Sequence, residues 1–202
     1  MKIFVNNKLV FLLTLMLSLS FASFAQESDE DEYETKAYQV YEQMQDILDG
    51  KWVLSHESKQ IGTTSYKNSA IAFLVGTDAT AVSYKTIGKG ATLQEDLLPD
   101  TKKQMVTMYF CNHYFNCTQL RATHYCAKRN NPEFILNEKL TTKDKIVFDC
   151  NMQTPLCNSD EDHVHQIILE LSNNNTHLKS SYLGWTNQRP NKKNSIYHFD
   201  KR

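Results

Sequence analysis

Gly50-Lys51-Trp52-Val53-Leu54 marks the point where the hydrophobic period of this chain changes. Upstream of it, Tyr33, Ala37, Val40, Tyr41, Met44, Ile47 and Leu48 recur at three- and four-residue spacing, the apolar stripe of a helix. That spacing predicts a helix over Tyr33 to Leu48, with acidic residues at its start, where they favour the helix dipole, and Gly50 as its stop. Downstream, the pattern turns to short runs rich in β-formers. They are Trp52 to His56, Ile71 to Val75, Ala81 to Ile87, Thr92 to Leu97, Met105 to Tyr109 and Leu120 to Tyr125, then Phe134 to Leu136, Ile146 to Phe148, Val164 to Leu171, His177 to Trp185 and Ile196 to Phe199. Short strands at this density, with polar or Asn-rich turns between them, read as a sandwich or an up-and-down barrel.

Upstream of the helix the chain opens with an expected leader. Lys2 and Lys8 precede an apolar run from Leu9 to Leu19, and Ser23-Phe24-Ala25 follows with small residues where signal peptidase reads. The expectation is a signal peptide over 1–25, an acidic disordered lead over 26–32, and one helix-plus-β domain over 33–202. The apolar run is short of the roughly 20 residues of a comfortable membrane span. The product is therefore expected to be exported, to a periplasm or beyond the cell, with no integral membrane contact. Lys and Arg number 22 against 23 Asp and Glu, and no basic stripe is present, so nucleic acid is not an expected partner. Only 6 Gly and 4 Pro exclude collagen-like and Pro/Gly-rich disordered classes.

Export makes disulfides the default state of cysteine. All 5 cysteines lie in the second half. Cys111 with Cys117, and Cys150 with Cys157, each bracket a short loop, and local pairing leaves Cys126 over. Other pairings stay open at this level.

Gly50-Lys51-Trp52 at the start of a strand series resembles the Gly-x-Trp opening of the calycins, the lipocalin and fatty-acid-binding superfamily. That resemblance favours a barrel over a sandwich. It implies that Gly50 and Trp52 close one barrel end and that a basic residue after the last strand, Lys201 or Arg202, covers the indole. A longer run of motifs is similar to a family of uncharacterised bacterial exported proteins with a calycin-like domain. Its elements are Gly88-Lys89-Gly90 to Glu95, Met105-Val106-Thr107-Met108-Tyr109, Thr123-His124-Tyr125-Cys126-Ala127, Asn130-Asn131-Pro132, His163-Val164-His165, and the basic end at Lys201-Arg202. The chain departs from the family pattern at Gly88-Lys89, Arg129 and Asn131. The hairpins that carry the four other cysteines are additions to that pattern, which supports the two local bridges and leaves Cys126 as the family-type thiol. The resemblance implies a mainly β fold, an antiparallel up-and-down β-barrel of about eight to ten strands with one N-terminal α-helix. It implies no activity.

Chemistry is sought next in the side chains themselves. His124 and Cys126 are two apart on one expected strand, and His163 and His165 two apart on another, so each pair shares a face. Pointed inward together, His124, Cys126, His163 and His165 would suit Zn(II), or a haem iron through one axial ligand. Pointed otherwise, the first pair is core and the second a solvated face beside Asp160-Glu161-Asp162. Tyr84, Tyr109, Tyr125, Phe134, Tyr182 and Trp185 would line an interior pocket for a small hydrophobic ligand, or fill a solid core. Nucleophile-elbow, zincin and phosphate-loop motifs are absent, so a binder is favoured over an enzyme. Three readings follow. The first is an exported barrel holding an apolar or amphipathic, lipid- or haem-like ligand. The second is a zinc-dependent protein centred on the His and Cys residues. The third is a filled barrel that meets a host or other extracellular protein partner.

Overall fold

The computed structural model describes residues 35–55, 71–113 and 116–202. The expected leader and acidic lead, together with Tyr33, lie outside the described residues. Helix α1 runs Lys36–Leu48 and buries Ala37, Val40, Tyr41, Met44 and Leu48, the stripe expected from the sequence. Its first turn carries no acidic residue. The orphan N–H groups are met instead by a hydroxyl cap, because Thr35 Oγ1 accepts from the Tyr38 N–H at 3.1 Å. Asp49 ends the helix in extended geometry. Gly50 then turns the chain into the first strand at φ +114°, a region closed to other residues without strain.

Ten strands follow the helix into one closed antiparallel barrel. They are β1 (Gly50–Leu54), β2 (Thr80–Ile87), β3 (Thr92–Leu97), β4 (Met105–Cys111), β5 (Leu120–Tyr125), β6 (Glu133–Leu136), β7 (Lys145–Cys150), β8 (His163–Ser172), β9 (His177–Thr186) and, after the two-residue ribbon β10 (Arg189–Pro190), β11 (Ser195–Lys201). Each pairs with its chain neighbour from β1 to β9, β9 pairs with β11, and β11 returns to β1 with Trp52 opposite Lys201. This is the up-and-down barrel expected. One expected strand is absent: Ile71 to Val75 holds a 3₁₀ turn, Ala72–Leu74. Ile71 and Leu74 are both buried and three apart, and the Leu74 N–H donates to the Ile71 carbonyl at 2.9 Å. A short apolar run without alternation suits a helical turn as well as a strand.

The helix covers one barrel end. Tyr41 Oη and Gln45 Nε2 donate to the Gly90 carbonyl at 2.9 and 3.0 Å, on the β2–β3 turn. Gln43 Nε2 donates to the Lys143 carbonyl on the β6–β7 turn at 2.6 Å, and Thr35 Oγ1 donates to the Cys117 carbonyl on the β4–β5 hairpin. Beneath the helix Trp52 is fully buried, and its Nε1 donates to the Leu48 carbonyl at 2.9 Å. The cation over the indole is Lys201, with Nζ 5.4 Å from the ring centroid and 2.7 Å from the Ile47 carbonyl. Arg202, also expected for this part, is exposed, and its N–H donates to the Lys51 carbonyl at 3.0 Å. Strand alternation decides between the two: Lys201 opposes Trp52, and the next side chain leaves the sheet.

The two local bridges, Cys111–Cys117 and Cys150–Cys157, are both formed. Cys126 is a half-buried free thiol. Among the described residues no helix is long and apolar enough to cross a membrane.

Candidate ligand site in the barrel

Alternation along β3 turns Leu93, Glu95 and Leu97 inward and leaves Thr92, Gln94 and Asp96 at the outer face. A carboxyl group therefore stands at the centre of an apolar row, and Glu95 is fully buried. Four hydroxyls converge on it. Tyr84 and Tyr109 donate to Oε2 at 3.0 and 2.8 Å, and Thr107 and Tyr182 donate to Oε1 at 3.0 and 2.7 Å. Four donors match the acceptor capacity of a carboxylate. Burial pushes the Glu95 pKa up, and the four hydroxyls work against that rise. Burial, followed by the charge of Glu95, drives Tyr84, Tyr109 and Tyr182 well above the ordinary phenol value, so all three stay protonated donors.

Thr107 links this cluster to an imidazole, since its Oγ1 lies 2.9 Å from His124 Nδ1. The single Thr107 proton goes to Glu95, so the contact with His124 is carried by the Nδ1 proton. That fixes the tautomer and leaves Nε2 as a bare acceptor. Burial lowers the His124 pKa to about 4, so the ring is neutral at pH 7. Among the described residues Nε2 has no hydrogen-bond partner.

His124 and Tyr182 reach a cavity of about 500 Å³ at the barrel end opposite the helix. Leu98, Met105, Val164, Ile196 and Tyr197 give it apolar walls, and Lys103, Lys128 and Lys193 bring cations to its lining. Lys128 is engaged by Asp162 at 2.5 Å, which holds that carboxyl below its usual range. Cys126 lines the same cavity, in phase with His124 as expected. Of these groups, His124 Nε2 and Cys126 Sγ could ligate a metal or haem iron.

Of the six expected pocket aromatics, Tyr182 lines the cavity and also donates to Glu95, whereas Tyr84 and Tyr109 serve as donors around Glu95. Phe134 is buried in the core cluster. Tyr125 is 48% exposed, because its neighbour His124 takes the inward place on β5. Trp185 follows Gly184, which lines the cavity, and stacks on His165 with centroids 3.9 Å apart. Both therefore belong to the outer face.

The four expected metal ligands are not brought together. Val164 lines the cavity, so His163 and His165 on either side of it take the outer face of β8. A bulge between Val164 and Gln166 then restores Ile167 to the interior. Among the described residues, the one group of three or more ligating side chains close enough to share an ion is Cys150, His163 and His165. Neither His124 nor Cys126 belongs to it.

The central residue, Glu95, ends the Gly88 to Glu95 element of the family resemblance, which implied no role for it. Its signal was phase: Thr92-Leu93-Gln94-Glu95-Asp96-Leu97 places it in register with two leucines. No protein-family model matches the chain, and no curated protein is similar to it in sequence.

Proposed function

We propose that this chain is an exported calycin-like barrel that holds a small amphipathic ligand and does not transform it. The cavity of about 500 Å³ carries the reading, with its apolar walls and a polar floor fixed by the Glu95 cluster. Its size falls inside the roughly 300–1,000 Å³ of small-molecule sites. The chemistry of the lining describes the ligand. A hydroxyl or N–H at its inner end meets the bare Nε2 of His124. An apolar body lies along Leu98, Met105 and Val164. An acidic group at the mouth faces Lys103 and Lys193. The N-terminal leader pattern and the two disulfides, which belong to an oxidising compartment, support export.

The test uses the full chain expressed for export and purified without chelator. Native mass spectrometry looks for a co-purified organic adduct. 1-Anilinonaphthalene-8-sulfonate, an apolar body bearing one anion, then serves as the probe. One equivalent should bind, and Val164→Trp, which fills the cavity, should weaken it at least roughly tenfold. Tyr182→Phe provides a milder second variant at the floor. Probe binding indifferent to both changes, in folded protein, would overturn the proposal.

A further inference from the structure

Next to Val164, but with none of its members among the residues that line the cavity, a second group of side chains converges. Cys150 Sγ, one ring nitrogen of His163 and one of His165 all lie within 4.8 Å of one another. Cys157 is bonded to Cys150 and so stands beside the same point. We propose that the Cys150–Cys157 disulfide covers a latent zinc site, and that its reduction yields a Cys₂His₂ ligand set completed by His163 and His165.

The imidazoles are already arranged for this. His163 Nδ1 lies 2.7 Å from the Glu161 carbonyl, which can only accept, so Nδ1 carries the proton and Nε2 is bare. Donation of one ring N–H to a backbone carbonyl is the usual support of a zinc-ligating histidine. His163 Nε2 stands 3.0 Å from His165 Nδ1, close to the about 3.3 Å that two tetrahedral Zn–N bonds impose. A proton now occupies the place of the metal. Trp185 stacked on His165 fixes the second ring, and burial of His163 fixes the first. Asp149, beside Cys150 on β7, is engaged by Asn137 Nδ2 at 2.6 Å and Gln166 Nε2 at 2.7 Å. The remaining ligand, Cys157, sits in a single 3₁₀ turn, Leu156–Asn158, on the loop between β7 and β8.

The chemistry balances with a dithiol as reductant. Its two thiols become a disulfide, and the two electrons and two protons convert the Cys150–Cys157 bond to two thiols. Binding of Zn(II) then releases one proton from each thiol as the thiolates ligate. Oxidation by a disulfide reverses both steps and expels the ion. The disulfide and zinc forms exclude each other because the same sulfurs serve both.

Cobalt(II) reports the site directly. The full chain, reduced with a phosphine under argon and confirmed folded by near-ultraviolet circular dichroism, is titrated with Co(II). One equivalent should bind with a thiolate-to-cobalt charge-transfer band and tetrahedral d–d bands. The oxidised protein should show neither. His163→Ala and His165→Ala should each weaken binding by at least roughly a hundredfold, the upper end of what losing an outer partner alone costs. Cys126→Ser and the double change Cys111→Ser/Cys117→Ser should leave the spectrum intact, which excludes the other three cysteines. The proposal fails if the reduced chain loses its fold, if it binds no cobalt, or if the charge-transfer band survives loss of both histidines.

Discussion

Thr107 Oγ1 lies 2.9 Å from His124 Nδ1 and donates its own hydrogen bond to Glu95 at 3.0 Å, so one hydroxyl sets the tautomer of a buried imidazole. Thr107→Val keeps the shape of the side chain and removes the hydroxyl. Nitrogen-15 NMR of the ring should show an Nδ1–H, Nε2-bare His124 in the parent and a changed tautomer in the variant. Stability should fall by about 1–2 kcal/mol, because Glu95 and His124 each lose a buried partner.

Glu95 itself should be the most sensitive buried polar position. Glu95→Ala orphans four hydroxyls in the barrel interior and should cost about 4 kcal/mol in urea unfolding. Glu95→Gln keeps the volume but turns donors toward donors on one side, and should cost about 2 kcal/mol. If both variants match the parent, the four hydroxyls do not depend on the carboxylate.

The depressed pKa of His124, about 4 against the usual 6.5, makes stability depend on pH. The unfolded chain takes up a proton below the ordinary histidine value, and the folded chain does not until the lower one. Stability from this group is therefore complete above pH about 6.5 and falls as the pH drops toward 4, by about 3 kcal/mol in all. His124→Phe should flatten that part of the profile. A profile unchanged by the substitution would place the titration elsewhere.

The two basic residues at the chain end should behave differently. Lys201→Ala removes a cation over the Trp52 ring and a hydrogen bond to the Ile47 carbonyl, and should cost about 1–2 kcal/mol. Arg202→Ala should stay within about 0.5 kcal/mol, because its side chain is exposed. Parallel thermal melts of the two variants suffice.

Much of the fold was legible because period-two runs and a helical stripe are local signals. The ten barrel strands, the helix end at Leu48 and both disulfides follow from runs and loops only a few residues long. The stretch Ile71 to Val75 misled because an apolar run without alternation carries no period. The site was harder to read for a different reason. Glu95, Thr107, His124 and Tyr182 sit on four strands, and what unites them is register, which no single strand states. The histidine pair on β8 was read correctly as sharing a face, but which face depends on Val164 between them and on the bulge that follows.

The seam of this barrel joins the two ends of the domain. Trp52 on the first strand lies opposite Lys201, the last strand residue of the chain. Strands β2 to β9 can pair in the order they are made, each with the one before, at small loop-closure cost. The ring cannot shut until β11 is in place, and its pairing with β1 is the most distant in sequence and hence the slowest kind to form. Until then β1 presents one unpaired edge and Trp52 lacks its lysine. A chain without β11 would thus be caught as an open sheet rather than as a slightly weaker barrel.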